Sequence, residues 1–211
     1  MDLLKSIGTD VVLTPSVDEM YPAGISLKRE EQRGTFVEVL GMSHQMEGIP
    51  RPHFFRGVAT VVTKLFNIAQ PDVAVFGQKD AQQCVVVRNM ARDLLLPIKI
   101  VIGKTEREQD GLALSSRNRY LSPEERKIAP TLYFGLCAAK ELYDQGERNR
   151  TKLIDAAGEK ILNVPGVQFE YLSLADSETL QELDVIQQGR GVILSGAIRV
   201  GKTRLIDNFM F

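Results

Sequence analysis

The chain has 211 residues, with 26 Lys and Arg against 27 Asp and Glu, for a formal net charge of −1. That balance excludes a protein built to grip a nucleic-acid backbone, which needs a basic excess. Hydrophobic residues at 44% and charged residues at 25% match an ordinary soluble globular chain. Apolar runs such as Val85–Val87 and Leu94–Leu96 fall far short of the ~20 residues that cross a bilayer. Met1-Asp2-Leu3-Leu4-Lys5 carries an acid where a signal peptide is basic, so a cytoplasmic location is expected.

Met1–Ile7 reads as the last turns of a helix. Asp10–Thr14 (DVVLT) reads as a buried strand closed by Pro15. Gly57–Gln70 places Val58, Val61, Val62, Leu65 and Phe66 on one helical face, and Pro71 ends it. Val73–Phe76 is a second buried strand, stopped by Gly77. Asp80–Leu95 is a second helix, with Cys84, Val87, Met90, Ala91 and Leu94 turned inward. Ile98–Ile102 is a third strand. This alternation predicts a parallel α/β sheet with right-handed crossovers, and its abrupt opening predicts that leading strands are missing. Gly103–Arg119 is polar, and a domain boundary is placed near Lys104, giving domains 1–104 and 105–211. Ser122-Pro123-Glu124-Glu125 is a helix start, with Ser as N-cap, Pro first and Glu third. That helix is expected to run to about Gln145, and another to cover about Thr151–Leu162. Phe169–Leu174, Gly191–Val200 and Arg204–Asp207 are β-rich.

Ligands of open α/β sheets gather at the carboxyl ends of the strands, which directs attention to Phe76-Gly77-Gln78-Lys79-Asp80. Gly77 lets a ligand approach the backbone. Lys79 and Gln83 are four apart on one helical face, suited to phosphate oxygens and to a hydroxyl or carboxylate. On local features the same residues also fit a solvated Lys–Asp pair at an ordinary helix cap. Asp110–Asn118 places Ser115 and Ser116 before Arg117, a donor-rich loop for phosphate oxygens or simply a polar linker. In Arg51-Pro52-His53-Phe54-Phe55-Arg56-Gly57 the bases suit an anion and the two aromatics suit a core staple. Gly196–Thr203 fits the G-x-x-x-x-G-K-[ST] pattern, but strand-like residues fill the supposed loop and too little chain follows, so the match reads as coincidence. Cys84 and Cys137 form no C-x-x-C pair, and His44 and His53 are the only histidines. No protein-ligated metal site is expected, and a metal here would be a hard cation held by carboxylates and substrate phosphates.

Taken together, Pro15–Tyr21 (PSVDEMY), Arg51–Asn67, Phe76–Gln83, Asp110–Asn118 and Arg204–Asn208 (RLIDN) resemble the pantothenate synthetase family, in family order. The wording of Arg51–Asn67 is most similar to its fungal or eukaryotic branch. The resemblance implies a nucleotidyltransferase-type Rossmann-like sheet, incomplete at its start, with a smaller α+β C-terminal lid. It implies a two-step ligation of pantoate to β-alanine through a pantoyl adenylate, with ATP as substrate, Mg²⁺ on its phosphates, and a homodimer. Gly77, Gln78, Lys79, Asp80, Glu106, Leu114, Ser115, Ser116 and Arg117 would then bind ATP and Gln83 pantoate, with Lys79, Ser115 and Arg117 catalytic.

This chain departs from the family pattern in three places. It holds no H-x-G-H segment, so the chain alone is expected to be inactive. His53-Phe54 stands where many relatives have Gly-His. Gln78 replaces a usual Glu.

Overall fold

A computed structural model describes residues 1–26 and 28–211. Helix α1 (Asp2–Ser6) is followed by irregular chain, then by the single turn α2 (Val17–Met20). A capping box starts α2: the Ser16 amide donates to Glu19 at 2.7 Å, and the Glu19 amide donates to the Ser16 hydroxyl. The buried strand expected at residues 10–14 does not form. Val11 is 83% exposed and Leu13 50%, and no ladder pairs them. Branched residues favour a strand only where a neighbour supplies hydrogen bonds and packing, and this segment has neither.

Helix α3 (Phe54–Ala69) ends at Gln70 in a left-handed conformation, directly before Pro71. Strand β1 (Val73–Gly77) leads through a 3₁₀ turn, Gln78–Asp80, into α4 (Ala81–Asp93), and β2 (Lys99–Gly103) follows. The two strands run parallel, from Val73 opposite Lys99 to Gly77 opposite Gly103, so both carboxyl ends reach one edge. Ala74, Phe76, Ile98 and Ile100 pack against Phe55, Ala59, Val62, Phe66, Val86, Val87 and Met90 of the helices. The opposite face is open, with Val75 68% exposed, so β1 is half-buried where a fully buried strand was expected. Leu94 also departs from expectation: α4 stops at Asp93, and Leu94 turns outward beyond it.

After the loop that follows β2, a 3₁₀ turn, Ser116–Tyr120, precedes α5 (Pro123–Ile128), whose Ser122–Glu125 capping box forms as its sequence predicts. One long helix was expected here. Pro130 has no amide hydrogen to donate, and the chain breaks there into α5 and α6 (Thr131–Asp144). Helix α7 (Arg150–Ile161) lies beside α6. An antiparallel sheet follows, ordered β3 (Val167–Asp176), β4 (Val192–Val200), β5 (Thr203–Met210). Leu132, Leu136, Leu153 and Ile161 pack on Leu172, Leu174, Leu194 and Ile198 to form this half's core. Gly201 and Lys202 make the tight turn between β4 and β5. The chain therefore runs strand to strand, which bears out the reading of Gly196–Thr203 as a coincidental match. Among the described residues no helix is long and apolar enough to cross a membrane.

Gly111 fixes the loop between the two sheets. Its φ is +90°, and a Cβ added there would lie 2.1 Å from Cε1 of Tyr133. Gly111→Ala meets both a left-handed backbone and an aromatic ring, so it should lower stability by about 2 kcal/mol or more. Urea unfolding followed by circular dichroism checks this, and an unchanged midpoint would contradict the packing described.

Candidate functional site

The turn after β1 projects Lys79 and Asp80 toward β5, and α4 adds Gln83 one helical turn further on. Across from them lie Arg51, at the start of α3, and Arg117, in the turn before α5. These side chains line one cleft with about 510 Å³ of space, counting its open mouth. Lys79 also reaches an adjoining cavity with Ser115, Asn118 and Tyr133, and the two cavities share Lys79, Ile206 and Asp207.

Withdrawal from water pushes the Lys79 ammonium below its ordinary pKa; Asp80 opposes that and the like charge of Arg117 adds to it. Arg51 is pushed down the same way, by burial first and then by Arg117. Lys79 and Arg51 thus each feel the like charge of Arg117 on one cleft, an arrangement that an anion there would relieve. The Arg51 guanidinium lies 3.4 Å above the Phe54 ring centroid, and Phe54 meets Phe55 edge-on at 5.1 Å. Phe55 is buried in the core, so the staple predicted for this segment occurs, and Arg51 lines the cleft. His53 has φ +66°, the left-handed region where glycine is at ease, and its Nδ1 is buried without a partner.

Of the residues predicted from sequence, Lys79, Asp80, Gln83 and Arg117 share the cleft, and Ser115 lines the adjoining cavity. Gly77 stands open, with nothing within 4 Å of an added Cβ. The Gln78 side chain is taken up by Asn208, to which it donates at 3.3 Å. Leu114 donates its amide to the Glu106 carbonyl at 2.9 Å, and Ser116 begins the turn that Ser115 caps. Glu106, Leu114 and Ser116 lie on the wall of neither cavity.

Sequence reasoning missed the groups that hold the cleft's shape. Arg204 on β5 donates to both oxygens of Glu47, at 2.5 and 2.8 Å, and the Tyr171 hydroxyl donates to Glu47 at 2.8 Å. Arg204 Nε also reaches Glu170 at 2.6 Å. Burial alone would raise the Glu47 pKa, but Arg204 and Tyr171 outweigh it and hold the carboxyl low. The RLIDN motif contains Arg204, but no spacing in the sequence links it to Glu47, which lies 157 residues earlier.

A parallel α/β layer with a cationic cleft at its strand ends, faced by a smaller antiparallel sheet with helices, defines a nucleotidyltransferase-type fold. The family model described as pantoate-beta-alanine ligase matches residues 1–210, and the chain belongs to that family. Pantothenate synthetase of Herpetosiphon aurantiacus is 50% identical over 208 residues, 99% of this chain and 72% of that protein. That of Chloroflexus aggregans is 51% identical, with the same coverage of 99% and 72%. The crystal structure of the Thermus thermophilus enzyme superposes with a TM-score of 0.87 at 44% identity, covering 99% of this chain and 72% of that one. A Francisella tularensis pantoate-beta-alanine ligase, solved with beta-gamma ATP and beta-alanine, gives a TM-score of 0.68 at 30% identity, covering 99% of this chain and 67% of that one. These relatives are bacterial and give the fungal expectation no support.

The Glu47–Arg204 pair makes stability depend on pH. Because the folded carboxyl sits below its ordinary value of 4.5, its contribution is present above that value and is lost as pH falls through the folded value. Glu47→Gln should cost about 3 kcal/mol near neutrality, where Arg204 is left half-paired, and its deficit should shrink as pH falls below the carboxyl's ordinary value of 4.5. Urea denaturation across pH 3 to 7 measures this; parallel curves would contradict it.

Proposed function

We propose that the cleft between Lys79, Arg51 and Arg117 binds the triphosphate of ATP during ATP-dependent joining of pantoate to β-alanine. The observation that carries this reading is the convergence of three cations on one cleft at a strand's carboxyl end. The ATP and beta-alanine bound by the Francisella relative support it. In the first step the pantoate carboxylate attacks the α-phosphorus, the bond to the bridging oxygen breaks, and pyrophosphate leaves with the electron pair. In the second, the β-alanine amine attacks the acyl carbon of the adenylate, loses a proton, and releases AMP. Lys79 and Arg117 stabilise charge on the phosphate oxygens, and Gln83, on the same wall, donates to pantoate. Ser115 serves the phosphates from the adjoining cavity, and Glu106, Leu114 and Ser116 join as the loop before α5 closes.

The cleft's own residues suit a phosphate-borne Mg²⁺ more than a protein-built metal site. Glu47 and Asp207 are each engaged by an arginine, which leaves Asp80 as the cleft carboxylate without an ion-pair partner among the described residues. Asp80 would help hold the ion, which neutralises phosphate charge when bound. A boundary near Lys104 divides the nucleotide-binding part from residues 105–211, the lid. A homodimer also fits, since Val11, Leu13 and Leu40, exposed by 83, 50 and 75%, leave apolar surface to cover. Among the described residues neither His44 nor His53 lines the cleft.

Calorimetric titration of the purified chain with ATP tests this. Lys79→Ala should weaken binding about tenfold or more, the worth of one lost charge-assisted hydrogen bond. Lys202→Ala, on the β4–β5 turn, should change it less than about twofold. The reverse order would restore the phosphate-loop reading and overturn this one.

A further inference from the structure

Arg204–Asn208 carries a motif whose last two residues have no part in the chemistry above. Asn208 is 2% exposed and Asp207 5%. The Asn208 amide nitrogen donates to the backbone carbonyls of Gln78, at 2.9 Å, and Lys79, at 3.0 Å. Its oxygen accepts from the Gln78 side chain at 3.3 Å. One residue of the antiparallel sheet therefore holds the backbone of the turn that presents Lys79.

Asp207 holds the other side. Its carboxylate accepts from both terminal nitrogens of Arg107, at 2.5 and 2.9 Å. Burial alone would lower the Arg107 pKa, but Asp207 outweighs it and raises it. Arg107 lies over the rings of Tyr133 and Phe209, at 4.7 and 5.4 Å from their centroids, and donates to the Gly111 carbonyl at 3.0 Å. It also bridges to Ala113, two residues before Ser115. The loop that delivers Ser115 and Arg117 is thus tied to Asp207. The two anchors are themselves joined, since the Asn208 amide donates to Asp207 at 2.8 Å, and β4 fixes both in register opposite Gly196 and Ser195.

We propose that Asp207 and Asn208 are positioning residues: adjacent on β5, they set the Lys79 turn and the Ser115–Arg117 loop at the spacing a triphosphate needs. This rests on the reading of the cleft as the ATP site. Apart from the bond that Asp207 accepts from the Asn208 backbone amide, both side chains direct their polar atoms to segments outside the antiparallel sheet. Because Lys79 is held through its backbone carbonyl, its side chain remains free to face the ligand.

Titration of the full chain with a β,γ-nonhydrolysable ATP analogue, well below the unfolding temperature of each variant, tests the proposal. Asn208→Ala should weaken binding about tenfold, as should Asp207→Asn, which keeps the shape and loses the charge. Asn208→Asp, which turns a carboxylate toward two carbonyl oxygens, should do at least as much harm as Ala. The variant Lys79→Ala/Asn208→Ala should bind no more weakly than about the worse single change, because the anchor acts through Lys79. Peptides covering residues 78–82 should also exchange amide hydrogens faster in Asn208→Ala without ligand. A purely structural role would lower thermal stability while leaving affinity and local exchange unchanged, and that outcome overturns the proposal. Multiplicative losses in the double variant overturn it as well. If Lys79→Ala keeps full affinity, the ATP reading fails and takes this one with it; if Lys79→Ala alone weakens binding, only the positioning role fails.

Discussion

Lys79 lies partly withdrawn from water within the field of Arg117, with Arg51 on the same cleft, and the rest of the structure serves to keep those like charges together. Left to itself a cluster of this kind would disperse, since repulsion and desolvation act in the same direction. Folding energy from two separate cores holds it. One is the layer of α3 and α4 on the parallel strands, and the other is the layer of α6 and α7 on β3–β5. On the reading of the cleft as the ATP site, that clustered charge is what would favour a polyanion.

The carboxylates around the cleft relieve that charge only in part: Asp80, Asp207 and Glu47 each act against the lowering of the Lys79 pKa. Glu47 is taken by Arg204 and Tyr171, and Asp207 by Arg107. Each acidic group is thus already paired with an arginine that does structural work, and only Asp80 stays uncommitted among them. Division of labour among arginines follows from geometry: Arg107 and Arg204 use their planar forks on carboxylates, while Arg51 and Arg117 face the open space.

Much of this is legible in the sequence because its signals are local. The Ser122–Glu125 capping box, the apolar face of α3, the Val73–Gly77 strand end and the positions of Lys79, Gln83 and Arg117 each depend on residues a few places apart. The failures share a physical cause. Residues 10–14 have the composition of a strand, but strand formation depends on a neighbour that no local pattern reveals. Apolar spacing continues across Pro130 and hides the break there, whereas the missing amide hydrogen ends the helix. Glu47, Asp207 and Asn208 make their contacts with residues 100 or more positions away, so no local pattern gives them these roles, although the RLIDN motif contains two of them. Gln78 shows the opposite error: its place in a site motif suggests ligand binding, while its side chain faces Asn208.

The most direct test of the central claim is a crystal structure of the 211-residue chain with a β,γ-nonhydrolysable ATP analogue. The phosphates should lie between the Lys79 ammonium and the Arg117 guanidinium, with the Gln78 and Lys79 carbonyls still held by Asn208. Phosphate density elsewhere, with Lys79 and Arg117 both facing solvent, would contradict the account.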